Sequence, residues 1–188
     1  LEICYVDYYH DSAEKLGTIE TLKQLHERKE VDAVLGVNCH EAMHEIGHEA
    51  FNEYGSIGEA YAHADYSCWG GYLHGVVEES MRGRSLDDIG KDELNSMCDV
   101  VKGGGEKSFE HFSCVHGLGH ALMFVSNNEL LKVISHCDDL NSVWEARQCA
   151  NGAFMQNMFS NYNDHVSDFT SKEDMHVPCN LVREDLQD

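Results

Sequence analysis

A single proline, Pro178, occurs in 188 residues, and runs that alternate β-branched with polar residues are scarce. The first leaves helical periodicity unbroken, and the second argues against a sheet-based architecture. Basic residues are also few: 13 Lys and Arg stand against 34 Asp and Glu, a formal charge of −21. A field of that sign repels polyphosphates and anionic lipid surfaces, which excludes nucleic acid and membrane-surface partners. No apolar run approaches the roughly 20 residues that a membrane span needs; the longest helical one is "ALMFV" at 121–125. No leader with a basic start and an apolar middle is visible, and the chain opens abruptly at Leu1, as a processed chain would. No two cysteines form a CxxC pair, which argues against a ribbon-type zinc site.

What is present points elsewhere. Eight cysteines are scattered at 4, 39, 68, 98, 114, 137, 149 and 179. An even, dispersed count predicts disulfides, and so a secreted, periplasmic or organelle-lumen compartment. The apolar fraction of 42% and the length of 188 residues predict one globular domain over 1–188 with a real core. Leu16, Ile19, Leu22 and Leu25 recur at three-residue steps, and Leu130, Leu131 and Ile134 precede Cys137. The fold class expected is all-α, with about eight helices. Ser12, Ser85 and Asn128 are candidate N-caps, and "GGG" at 103–105 is the clearest break.

The chain says things twice. Cys39 opens "CHEAMHEIGHEAF" and Cys114 opens "CVHGLGHALMF"; placing His44 over His116 also places Gly47 over Gly119 and His48 over His120. "CWGGYLHGVVEE" from Cys68 then matches "CANGAFMQNMF" from Cys149, with Gly71 over Gly152 and Leu73 over Phe154. Two tandem half-repeats follow, about 38–102 and about 106–162, with extensions at both ends. A unit that cannot bury its own face predicts that the halves pack around a shared, histidine-rich centre.

Residues four apart share a helix face, so His44 with His48, and His116 with His120, can each grip one cation. Helical glycine costs about 0.5–1 kcal/mol relative to alanine. Finding one at the same place twice, Gly47 and Gly119, predicts a close backbone approach. Four imidazoles on one centre suit zinc: three plus water make a catalytic arrangement, four a structural one. His74 and Glu78 are again four apart, and Met155 stands where the second half would carry the histidine. His74 is a further ligand or a proton shuttle, with Glu78 orienting its ring.

His44-Glu45-x-x-His48 also fits a zinc peptidase, with Glu45 as base. The longer metzincin form fails, because Phe51 and Tyr54 occupy the glycine and third-histidine positions. A later Glu78 or Glu79 ligand keeps a peptidase open. Against it, the second copy reads His116-Gly-Leu-Gly-His120, which retains the ligands and drops the glutamate.

"CHEAMHEIGH", "GGYLHG", "CVHGLGHALM" and "NGAFMQN" resemble the Cys-Gly-His-rich domain of the theta-class carbonic anhydrases, over about residues 39–160. The resemblance implies zinc-activated water adding to carbon dioxide in a lumenal or external compartment. The expectation is therefore a zinc protein with His44, His48, His116 and His120 as ligands, and His74, Glu78 and Glu45 as candidate catalytic groups. It acts on a small molecule, and a protein partner or a second copy of the chain is an open alternative. A zinc peptidase and a non-catalytic metal-binding or assembly module are the other readings.

Overall fold

A computed structural model describes residues 2–105, 107–159 and 167–182. All regular structure among the described residues is helical: nine α-helices with short 3-10 turns between them. The expected start of the second half-repeat at 106, and its last residues 160–162, lie outside the described residues. Six cysteines are disulfide-bonded. Cys39 pairs with Cys68 and Cys137 with Cys149, while Cys4 and Cys179 are free and exposed. The chain divides into two compact units, Leu1–Ser80 with Val100–Cys114, and Met81–Asp99 with Val115–Asp188.

In the first unit, α1 (Glu2–Leu16), α2 (Thr18–Lys29), α4 (Ile57–Ala62) and α5 (Gly71–Ser80) all pack on α3 (Ala33–Tyr54). The sequence makes α3 the axis by spacing its apolar residues at three and four: Leu35, Cys39, Ala42, Met43, Ile46 and Ala50 are all buried. Full burial of Leu35, Met43 and Ile46 contributes roughly 1.5–3 kcal/mol each. Asp32 caps the start by accepting from the amides of Val34 and Leu35, and Gly55, at φ 78, closes the end in left-handed geometry. One non-helical residue, Asn38, breaks α3 just before Cys39.

Glycine sets the contact between α3 and α5. A Cβ on Gly47 would land on the Tyr72 carbonyl, and one on Gly75 would land on the His44 carbonyl. The two backbones therefore touch, as the doubled glycine predicted. Tyrosine hydroxyls tie the neighbouring helices: Tyr61 donates to the Leu73 carbonyl at 2.9 Å and Tyr72 to the Ala60 carbonyl at 3.0 Å. At the start of α2 the N-cap residue is Gly17, which has no side chain to offer. Glu53 of α3 replaces it, accepting from the Thr18 amide at 3.0 Å and the Thr18 hydroxyl at 2.7 Å.

In the second unit, α6 (Lys91–Ser96) precedes the larger part of α7 (Phe109–Val125), then α8 (Leu130–Cys137) and α9 (Val143–Phe159). α8 buries Leu130, Val133, Ile134 and Cys137 along one side. The Cys137–Cys149 bond closes a separation of 12 residues onto α9, a loop for which cross-linking contributes about 3 kcal/mol. Here too glycines hold the crossing: a Cβ on Gly119 would meet the Cys149 carbonyl, and one on Gly152 would meet the His116 carbonyl. Gly152 thus stands to His116 as Gly75, not Gly71, stands to His44. The match drawn through Cys68 and Cys149 is displaced by one helical turn. Cys149 lies inside α9, whereas Cys68 opens a turn ahead of α5, so aligning the cysteines misaligns the helices.

The expected caps differ as well. Ser12 lies inside α1, and Ser85 precedes only the 3-10 turn Leu86–Asp88 and makes no side-chain cap bond. Asn128 adopts φ 64 in the turn ahead of α8. Left-handed geometry suits asparagine for the same reason that it suits a cap, a short side chain that bonds locally, so the sequence signals overlap.

Candidate metal centre

The α3–α5 contact carries a histidine cluster within the first unit. His40 and His44 are one turn apart on α3, and α5 adds His74. One ring nitrogen from each lies within 4.8 Å of the others. Ring centroids are 4.6 Å apart for His40 and His44, 5.3 Å for His40 and His74, and 5.4 Å for His44 and His74. His44 and His74 are buried and His40 is half-buried.

Acceptors fix two of the rings. His40 Nδ1 lies 2.8 Å from the Cys68 carbonyl oxygen. A carbonyl only accepts, so Nδ1 carries the proton and Nε2 presents a lone pair. His44 Nδ1 lies 3.0 Å from Glu78 Oε2 and donates to that carboxylate. The two Nε2 atoms then face each other at 3.0 Å. Two lone pairs aimed together at that distance repel unless a proton or a cation sits between them. Zinc–nitrogen bonds of about 2.0–2.1 Å at tetrahedral angles would set the nitrogens about 3.3 Å apart. A ligand imidazole whose outer nitrogen donates to a carbonyl or carboxylate is the usual form of a metal-binding histidine. The donor set therefore fits a borderline divalent ion such as zinc.

His48 and Glu45 sit in a neighbouring network. His48 Nε2 reaches Glu78 Oε2 at 2.8 Å, and its Nδ1 faces Glu45 Oε2 at 3.4 Å. Glu45 also pairs with His10 of α1 at 3.2 Å. Burial opposes charge on His48, but carboxylates at both ring nitrogens overcome it and push the ring up to about 10. Burial likewise opposes charge on Glu78, yet His44 and His48 hold it well below the usual carboxylate range. His44 moves up for the converse reason, burial being outweighed by Glu78.

In the second unit, His116 and His120 are buried one turn apart on α7, with ring centroids 5.0 Å apart. His120 Nδ1 lies 3.0 Å from Gln156 Oε1. An amide oxygen accepts, so this ring too presents its Nε2 lone pair inward.

The expected ligands have these neighbours within each unit. His44 joins His40 and His74; His48 shares a Glu78 oxygen with His44; His116 and His120 pair one turn apart on α7. His40 was the residue sequence reasoning left out of the ligand set, although it stands four before His44 and directly after a disulfide cysteine. Comparison with protein-family models, curated proteins and solved structures returns no match for this chain.

Proposed function

We propose that this chain is a zinc-binding helical protein of a secreted, periplasmic or lumenal compartment, with the first unit holding the ion through His40, His44 and His74. One observation carries the reading: the Nε2 atoms of His40 and His44 converge at 3.0 Å while the Nδ1 atom of each faces an acceptor. The same tautomer logic extends a ligand role to His120, and His116 stands one turn before it on α7. Disulfides at six cysteines support an oxidising compartment, and no helix of the described residues is long and apolar enough to cross a membrane.

The activity proposed is hydration of carbon dioxide, in keeping with the motif resemblance. When bound, zinc would supply an acidified water at neutral pH. The chain's own contribution is orientation. Glu78 and the Cys68 carbonyl hold two rings, and burial of His44 and His74 keeps bulk water from competing for their nitrogens. Glu45 is turned toward His48 and His10, which favours this reading over a peptidase in which Glu45 would act as base.

The test combines metal analysis with stopped-flow hydration assays on wild type, Glu45→Gln, His74→Ala and His116→Ala. Near-stoichiometric zinc that is lost in His74→Ala, with Glu45→Gln fully active, is the expected result. Activity that vanishes in Glu45→Gln with peptide cleavage in the wild type would establish the peptidase instead. Zinc without any hydration above buffer would leave a non-catalytic metal module.

A further inference from the structure

The acceptor that orients His40 belongs to a half-cystine. Cys68 bonds Cys39, the residue preceding His40, and its carbonyl accepts a hydrogen bond from His40 Nδ1, the two atoms lying 2.8 Å apart. Cys68, Trp69 and Gly70 run at φ of 52, 60 and 77. Glycine tolerates that region, but Cys68 and Trp69 do not adopt it unaided, and Trp69 is 85% exposed with no core packing to hold it there. On the other side, Gly71 leaves no room for a Cβ because the His40 carbonyl and ring fill the space. The cross-link therefore ties a strained turn, which also carries Gly70-to-Ser67 and Gly71-to-Cys68 backbone hydrogen bonds, to the start of the α3 segment bearing the ligands, immediately after the break at Asn38.

We infer that the Cys39–Cys68 disulfide is a redox control on metal binding at His40, His44 and His74, a conclusion that rests on the metal reading above. Cys68 is also the most exposed residue of the bonded set. Cys39, Cys98, Cys114, Cys137 and Cys149 are all buried, whereas Cys68 is half-buried. A small dithiol is a sufficient reductant. One of its thiolates attacks Sγ of Cys68, and Cys39 leaves as a thiolate and takes up a proton. The reductant's second thiol then displaces Cys68, giving two protein thiols and one cyclic disulfide. Freed from the bond, the 68–70 turn relaxes and its carbonyl leaves the His40 ring. His40 can then place its proton on Nε2, the nitrogen that faces the centre, and a protonated nitrogen has no lone pair for a metal.

Loss of such an orienting partner costs about 10–100-fold in metal affinity. Zinc affinity, read by competition with a chromophoric chelator, should fall by that factor in the double variant Cys39→Ser/Cys68→Ser. It should change little in Cys137→Ser/Cys149→Ser. Serines are needed because free thiolates would themselves bind zinc. A second measurement needs no variant. Coupling is reciprocal, so saturating zinc should make Cys39–Cys68 of the wild type about 10–100-fold harder to reduce in a buffer of oxidised and reduced small dithiol. Alkylation and mass spectrometry read this ratio, with Cys137–Cys149 as the internal reference. Wild type that binds zinc through His40 and His74, with both readouts unmoved, overturns the redox control and leaves the metal site standing. Oxidised wild type that binds no zinc overturns the metal site itself. Tighter binding on reduction would also defeat the proposal, since the thiols would then be ligands and not a control.

Discussion

His40 and His44 meet Nε2 to Nε2 at 3.0 Å, and each ring's Nδ1 is committed to an acceptor on another segment. Neither ring can relieve the contact by exchanging tautomers without breaking its outer bond. In the metal-free protein a proton on His44 resolves the conflict, and Glu78 beneath it favours that charge against the cost of burial.

On the proposed zinc reading the ion must displace this proton, which makes uptake pH-dependent. His44 has its pKa raised, so below that value the metal-free ring is charged and binding competes with protonation. Affinity should rise about tenfold per pH unit while one proton is displaced, then level off above the raised value. Titration of metal-free protein with zinc in weak buffer should release close to one proton per ion. Release of none at neutral pH would mean that His44 is already neutral there and that no proton bridges the two rings.

Glu78 serves two histidines with one oxygen. Glu78→Gln leaves an amide that can accept one of these bonds but cannot balance the charge on His48. Removing one partner of a buried ion pair costs about 3–5 kcal/mol, so the midpoint of urea unfolding should drop markedly. Metal affinity should fall about 10–100-fold at the same time. Glu79→Gln, the adjacent change, should leave the zinc affinity close to wild type. Equal effects from the two substitutions would remove Glu78 from its orienting role.

Much of this was legible in the residues. Scarce proline and scarce alternation predicted helices, and helices are what the described residues contain. A glycine placed between histidines in each half predicted close helix contacts, and Gly47 and Gly119 each abut a neighbouring backbone. Other features were hidden because they depend on where helices cross. His48 shares the four-residue spacing of His40 and His44, yet Glu78 and Glu45 claim both of its nitrogens. Nothing in the local pattern around Thr18 announces that its cap comes from Glu53, 35 residues on. His40 carried a usable signal, its position between a bonded cysteine and a histidine one turn later.

Alanine at Gly75 or Gly119 tests the helix contacts directly. Alanine is the better helix former by about 1 kcal/mol, which would stabilise an open site. At both positions, however, the added methyl meets backbone atoms that cannot rotate away. Overpacking of that kind costs about 1–3 kcal/mol, occasionally more, so net destabilisation is expected in urea unfolding. Gly103→Ala, with nothing within 4 Å of the new carbon, is the neutral comparison. Zinc affinity should also fall in Gly75→Ala, because His44 must shift with its carbonyl. A stabilised Gly75→Ala would mean that α3 and α5 do not touch there.

Glu53 gives a stability term of opposite pH sense to the zinc effect. Its carboxyl is held below the usual range by the Thr18 hydroxyl first and the Thr18 amide second, with burial opposing. The folded value is thus lower than the unfolded one, near 4.3. Stability from this contact is fully present above the unfolded value and is lost as pH falls through the folded one. Capping contributes about 1 kcal/mol, and Glu53 is exposed, so solvent screening trims that further. Glu53→Ala should lower the melting temperature by no more than about 2–4 °C at neutral pH. The gap between variant and wild type should narrow as pH falls below the unfolded value and on through the lower folded one, where the wild-type carboxyl is protonated. A gap that stays constant across that range would show the Thr18 bonds to be insensitive to the charge on Glu53, and the cap would then be one of shape alone.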